Sequence, residues 1–249
     1  MYNLAISIGV AVVAFFGGFA LAGWLAGILP ALLAGGVAYF LLARRTGRQL
    51  EALMQEAGDA IQKGKIERGR KLMEQGFALA KWQFLIGEQI HAQLGALDYL
   101  QRRFTSARDH LGKAWSRNWM SKAMLACIEH REGKHDAALA QMEDVTGPGG
   151  KDPVFWALYA WLAIEAKDTD KALAVLVQGM DKNPESKALQ ELADLVRNKK
   201  RIKPQKAFSA FAPGWYQFFP EHMPRSQMMQ MQGQRPGGYS YPQPRGFRR

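Results

Sequence analysis

Charge is missing from the first 43 residues of this 249-residue chain: the first Lys or Arg is Arg44, and no Asp or Glu precedes Glu51. Such a segment has no ionisable pair with which to line a conducting pathway. Cysteine is nearly absent too. The single Cys127 excludes an intrachain disulfide and any CxxC metal or redox motif, in keeping with a reducing compartment. Acid is scarce at the other end, where residues 199–249 hold ten Lys/Arg against Glu221 alone, or +9 of the net +11. Residues 44–198 balance 23 basic against 21 acidic side chains, or +2. The high pI therefore belongs to a tail and not to a basic groove in the folded part.

Enzyme motifs are missing as well. GPGGKD at 147–152 has the composition of a phosphate loop, but Val145 stands where the first Gly is needed and Asp152 where Ser or Thr is needed. It reads as an inter-repeat loop. His130 and His135 flank REGK beside Glu129, Glu132 and Asp136, yet they straddle a turn at i, i+5, whereas zinc helices use i, i+4. A solvated turn is the plainer reading. Cys127 lies mid-helix among Met124, Leu125 and Ile128, as a packed residue does. His91 and His110 have no Ser or Cys partner. No enzyme activity, cofactor, metal or small-molecule substrate is expected.

What the chain does have begins with its uncharged segment. One helix of 43 residues would be roughly 65 Å long, twice a hydrocarbon core of ~30 Å. Two transmembrane helices are predicted instead, about 3–23 and about 28–43, reversing near Gly23–Pro30. Pro30 suits the first turn of the second helix, and Trp24 the lipid interface beside the reversal. Gly17, Gly18, Gly23, Gly27, Gly35 and Gly36 would let the pair pack backbone to backbone. The rival reading is a cleaved signal peptide. It lacks a basic n-region here, and the apolar sequence continues to Leu42. Arg44, Arg45 and Arg48 form a basic juxtamembrane linker over 44–49, and by the positive-inside rule they set the topology. N-terminus and C-terminal domain are both expected in the cytoplasm, at the bacterial cytoplasmic membrane.

Residues 50–198 carry an internal repeat. Small residues recur twelve apart in four pairs: Ala57/Gly69, Gly95/Ala107, Ala126/Ala138 and Ala160/Ala172. Four positions beyond each second anchor stand Met73, Leu111, Met142 and Leu176, and three further on Gly76, Ala114, Val145 and Gly179. The turns hold Gly64-Lys65, Arg102-Arg103, Gly133-Lys134 and Lys167-Asp168, so Ile66, Phe104, His135 and Thr169 should open the second helices. Trp156, Tyr159, Ala160 and Ala163, then Ala172, Leu176 and Gly179, then Pro184, give the fullest copy. This pattern resembles the tetratricopeptide repeat (TPR), W-x2-L-G-x2-Y, then A-x3-F, then P. The family aromatic after the first small residue is replaced by Ala60, Asp98, Glu129 and Ala163, and the intervals between second anchors vary, 38 residues from Gly69 to Ala107 and 31 from Ala107 to Ala138. Residues 81–87 are read as lengthening a helix, and 186–198 as a polar-faced capping helix.

The resemblance implies an α-solenoid whose first helices, here 50–63, 87–101, 119–132 and 153–166, line a groove for a partner peptide or helix. Candidate groove residues are Met54, His91, Asp98, Lys122, Glu129, Phe155, Tyr159 and Leu162. Met54 and Gly58 occupy the positions where chaperone-binding members place Lys and Asn, which argues against a carboxylate clamp.

Beyond Asn198 the periodicity stops, and seven of the eleven prolines follow. Residues 207–219 are densely aromatic, with Phe208, Phe211, Trp215, Tyr216, Phe218 and Phe219 as candidate docking residues. Three readings stand: the aromatics fold back on the solenoid, dock onto a partner protein, or touch anionic lipid together with the basic residues. Single-stranded nucleic acid is a fourth and the weakest. The remainder is Gln-, Met-, Pro-, Gly- and Arg-rich and expected to be disordered. The whole is predicted to be all-α, with a two-helix transmembrane hairpin, a TPR-like α-solenoid and a disordered basic C-terminal tail. Its expected role is a membrane-anchored adaptor or scaffold for partner proteins at the cytoplasmic face, as an accessory subunit of a membrane complex. The alternative is a lipid-surface or nucleic-acid binder acting through the tail.

Overall fold

The computed structural model describes residues 1–198, 200 and 202–223, the Ala22 side chain excepted, and every regular element among them is helical. Two compact units follow one another, the first ending at Ile90 and the second beginning at His91. The first holds α1 (Tyr2–Ala22), α2 (Trp24–Gln62), α3 (Ile66–Gln75) and α4 (Phe77–Ala80). Helix α5 (Ile86–Leu100) carries the chain into the second, followed by α6 (Phe104–Gly112), α7 (Trp119–Arg131), α8 (His135–Glu143) and α9 (Thr146–Gly149). Then come α10 (Pro153–Glu165), α11 (Thr169–Lys182), α12 (Lys187–Arg197) and α13 (Pro204–Ala207). Short 3₁₀ turns at Ser209–Phe211, Gly214–Gln217 and Pro220–His222 end the described chain. The stretch from 224 on, where disorder was expected, lies outside the described residues.

Within the first unit α1 and α2 run side by side, and the reversal is tighter than the sequence suggested. It is made by Gly23 alone, at φ 82, and the helix resumes at Trp24. A residue without Cβ reaches that conformation freely. Pro30 consequently sits inside α2 and not in its first turn. Its missing N–H deprives the Ala26 carbonyl of a helical partner. Gly18 of α1 backs onto that carbonyl: a Cβ there would stand 2.5 Å from Ala26 O. Nor is there a linker over 44–49. Helix α2 runs unbroken for 39 residues, roughly 58 Å, so the second apolar segment and the first helix of the first repeat are one element.

The repeat skeleton is visible in the turns. Gly64, Arg102, Gly133 and Lys167 all take left-handed φ, at 76, 60, 78 and 63°. In each case the next N–H reaches back five residues, Lys65 to Ala60, Arg103 to Asp98, Lys134 to Glu129 and Asp168 to Ala163, at 2.8–3.0 Å. The turn residue itself reaches back three. This is the Schellman pattern. Second helices then open at Ile66, Phe104, His135 and Thr169, as the spacing predicts. All eight small anchors are buried. They are small because the helices touch: a Cβ on Gly69 would meet Ile61 Cγ1 at 2.5 Å, and one on Gly95 would meet Leu111 Cγ at 2.7 Å.

The longer interval after Gly69 has a plain cause. Of residues 81–87 only Ile86 and Gly87 are helical, opening α5; α4 ends at Ala80 and a turn with Leu85 at φ 65 separates the two helices. In the second unit, α7 packs on α8, α10 on α11, and α11 on α12. Asn118, Asp152 and Asp168 cap α7, α10 and α11, each accepting a backbone N–H of the first turn at 2.9–3.2 Å. Helix α12 turns Leu189, Leu192, Ala193 and Val196 inward and keeps polar residues outside.

Candidate functional site

The first candidate is the α1–α2 pair. Both helices are long and apolar enough to cross a membrane. Their outer faces are bare: Val13, Leu21 and Leu32 are 75%, 89% and 69% exposed. Their inner faces meet at small residues. Besides Gly18, a Cβ on Gly27 would stand 2.7 Å from Phe15 O, and one on Gly35 would be 2.8 Å from Ala11 Cβ. Gly17 and Gly36 face open space and take no part. Near the start of α1 the contact turns polar. Asn3 Nδ2 donates to Thr46 Oγ1 at 3.0 Å, Thr46 Oγ1 donates to Leu42 O at 3.0 Å, and Ser7 Oγ donates to Asn3 O at 2.7 Å. Arg44, Arg45 and Arg48 lie beside this junction on α2, all exposed.

The groove candidates separate into three groups. Phe155, Tyr159 and Leu162 are buried in the core and do not line a groove. The reason is that α10 is apolar on every side, so no solvent face exists to carry them. Asp98 and Glu129 are buried as well, the first accepting from Ser106 Oγ and the second 3.7 Å from Arg108. They serve as partners within the fold. Met54, His91 and Lys122 are half-buried. Lys122 Nζ donates to Gln141 Oε1 at 2.9 Å and lies 3.8 Å from Asp144.

The tail aromatics are not free to dock. Phe208, Phe211, Trp215, Tyr216, Phe218 and Phe219 are all buried in the second unit, so the fold-back reading is the one observed. Phe208 and Trp215 stack with centroids 3.8 Å apart, and Trp161 of α10 meets Phe208 edge-on at 5.3 Å. Among the polar contacts that fasten the segment, Tyr99 Oη donates to Phe218 O and Arg131 pairs with Glu221. Neither could be read from local sequence, because each joins positions some ninety or more residues apart.

Four of the five histidines pair with one another, each pair joining successive helices. His91 and His110 place their Nδ1 atoms 3.0 Å apart, and His130 and His135 theirs 3.3 Å apart. Burial first, then His135 and Arg131, lower the His130 pKa. Among the described residues, no three of His, Cys, Asp and Glu converge as a metal set. Burial pushes the Cys127 thiol up to about 12, which leaves it a poor nucleophile. The GPGGKD loop is structural: Gly150 O accepts from Trp156 Nε1 at 2.9 Å and from Asn183 Nδ2 at 3.0 Å.

Among the described residues these features define an all-helical fold with an apolar N-terminal helix pair. No protein-family model, curated protein or solved structure matches the chain.

Proposed function

We propose that this chain is a membrane-anchored adaptor, a transmembrane hairpin carrying a TPR-like solenoid that recruits or assembles partner proteins at the cytoplasmic face. The observation that carries this reading is the unbroken α2, in which an apolar span and the first repeat helix are one rod. Such a rod joins the first repeat helix directly to the span, and confinement to the membrane raises the effective concentration of the repeats toward membrane partners. The Asn3–Thr46 contact supports a two-span hairpin, since it sets the start of α1 beside the end of the second span. Removing residues 1–22 as a signal peptide would strip Thr46 and the inner face of α2 of these contacts. Burial of the six aromatics weakens the tail-driven lipid or nucleic-acid reading, which keeps only the basic residues.

Lys122 and His91 are the proposed partner-facing residues of the second unit, and Met54 that of the first. A photo-crosslinker at Lys122 in the full-length protein, followed by purification from solubilised membranes, tests this. A specific membrane-protein adduct retained by a chain stopped after Met223 is expected. Loss of that adduct on truncation would assign recognition to the terminal basic stretch and overturn the groove reading.

A further inference from the structure

The turn between α4 and α5 is tied to the start of the first apolar helix. Tyr2 N–H donates to Lys81 O at 3.0 Å and Asn3 N–H to Trp82 O at 3.1 Å. The Tyr2 and Trp82 rings meet edge-on with centroids 5.2 Å apart. Asn3 also fixes the level along α2 through Thr46, which lies 22 positions after Trp24. That is about 33 Å of helix, one hydrocarbon thickness. The turn therefore stands where the span ends. At this level Tyr2, Trp82, Phe84 and Leu85 are 53%, 41%, 49% and 37% exposed. Leu85 is held in left-handed backbone, a conformation a branched apolar residue rarely adopts. Lys81 precedes Trp82 in the turn, and Arg44, Arg45 and Arg48 lie within two residues of Thr46 on α2, all exposed.

We propose that Trp82, Phe84 and Leu85, with Tyr2, form an interfacial anchor that inserts into the headgroup region of an anionic bilayer leaflet. Aromatic rings with a polar edge partition to that depth, and the cations near that level complement anionic headgroups. The patch continues the apolar surface of the hairpin, so the covering phase is the same lipid. The anchor rests on the reading of the α1–α2 pair as membrane-spanning. It gives the first unit a third attachment and fixes its tilt on the membrane.

The test is depth measurement on full-length protein in vesicles of phosphatidylcholine and phosphatidylglycerol. Nitroxide labels are placed by Phe84→Cys, by Leu33→Cys within the second span, and by Glu74→Cys as an exposed reference. Cys127 is fully buried and does not compete for the label. At 84 a loss of collisions with an aqueous nickel chelate, relative to 74, is expected, together with increased collisions with oxygen. Equal chelate access at 84 and 74, with 33 shielded, overturns the anchor alone. Chelate access at 33 overturns the spanning reading and the anchor with it.

Discussion

Tyr99 Oη donates to the Phe218 carbonyl at 2.6 Å, a buried bond that joins α5 to a segment 119 residues later. Burial holds the phenol well above its ordinary range, so it remains a donor throughout the working pH range. Tyr99→Phe keeps the ring and deletes this donor. An unfolding free energy lower by about 1–3 kcal/mol is expected, since the carbonyl stays buried with only a long contact to Arg131. Denaturant titration of the detergent-solubilised protein checks it; an unchanged midpoint would show that the bond contributes nothing.

The same relationship predicts where the chain can be cut. A stop after Met223 removes only residues beyond the aromatic segment and should leave the melting temperature unchanged. A stop after Asn198 removes Phe208, Trp215 and Phe218 from the core and should lower it sharply. Equal melting of the two truncations would contradict the burial.

Left-handed turn residues give a test of opposite signs. Arg102 and Lys167 hold a backbone conformation that glycine reaches without strain. Arg102→Gly and Lys167→Gly should each stabilise by up to about 1 kcal/mol, whereas Gly64→Ala and Gly133→Ala should destabilise by about 1–2 kcal/mol. Thermal midpoints of the four variants decide it. If all four move in one direction, the shared turn geometry is wrong.

Helix-pair packing is tested by two glycines of one hairpin. Gly58 faces open space, so Gly58→Ala should stabilise α2 by up to about 1 kcal/mol. Gly69 meets Ile61 and the Ala57 carbonyl, so Gly69→Ala should cost about 1–3 kcal/mol. Gly95→Trp and Ala172→Trp overpack the corresponding contacts in the second unit and should lower the melting temperature further. Tolerance of Trp at either anchor would break the register.

These turns and anchors were legible because they are local: a spacing of twelve and a two-residue turn are fixed by helix geometry alone. The groove was not. Phe155, Tyr159 and Leu162 stand three or four apart, the spacing of one helix face, but α10 is enclosed by α11, α12 and the returning aromatic segment. The last of these reaches α10 through long-range contacts, and the same segment bonds Tyr99 at Phe218, a pairing that no sequence window contains. The unbroken α2 was missed for a related reason. Arg44, Arg45 and Arg48 mark a change from apolar to charged sequence, and helical backbone passes through such a change without interruption.

Acid should loosen the second unit. Burial is the main cause that lowers the pKa of both His130 and His222, against an ordinary value near 6.5. A histidine lowered in the folded state binds more protons when unfolded, so its contribution is complete above the unfolded value and is lost as pH falls below it. His222 has a further reason to stay neutral. The Trp215 indole N–H can only donate, so His222 Nδ1 has to accept that bond at 3.2 Å, and protonation removes the lone pair. The melting temperature should therefore fall between pH 7 and pH 5, and the fall should shrink in His222→Gln, which can still accept from Trp215 but does not titrate. A melting temperature independent of pH across that window, or a slope identical in His222→Gln, would place the acid sensitivity elsewhere.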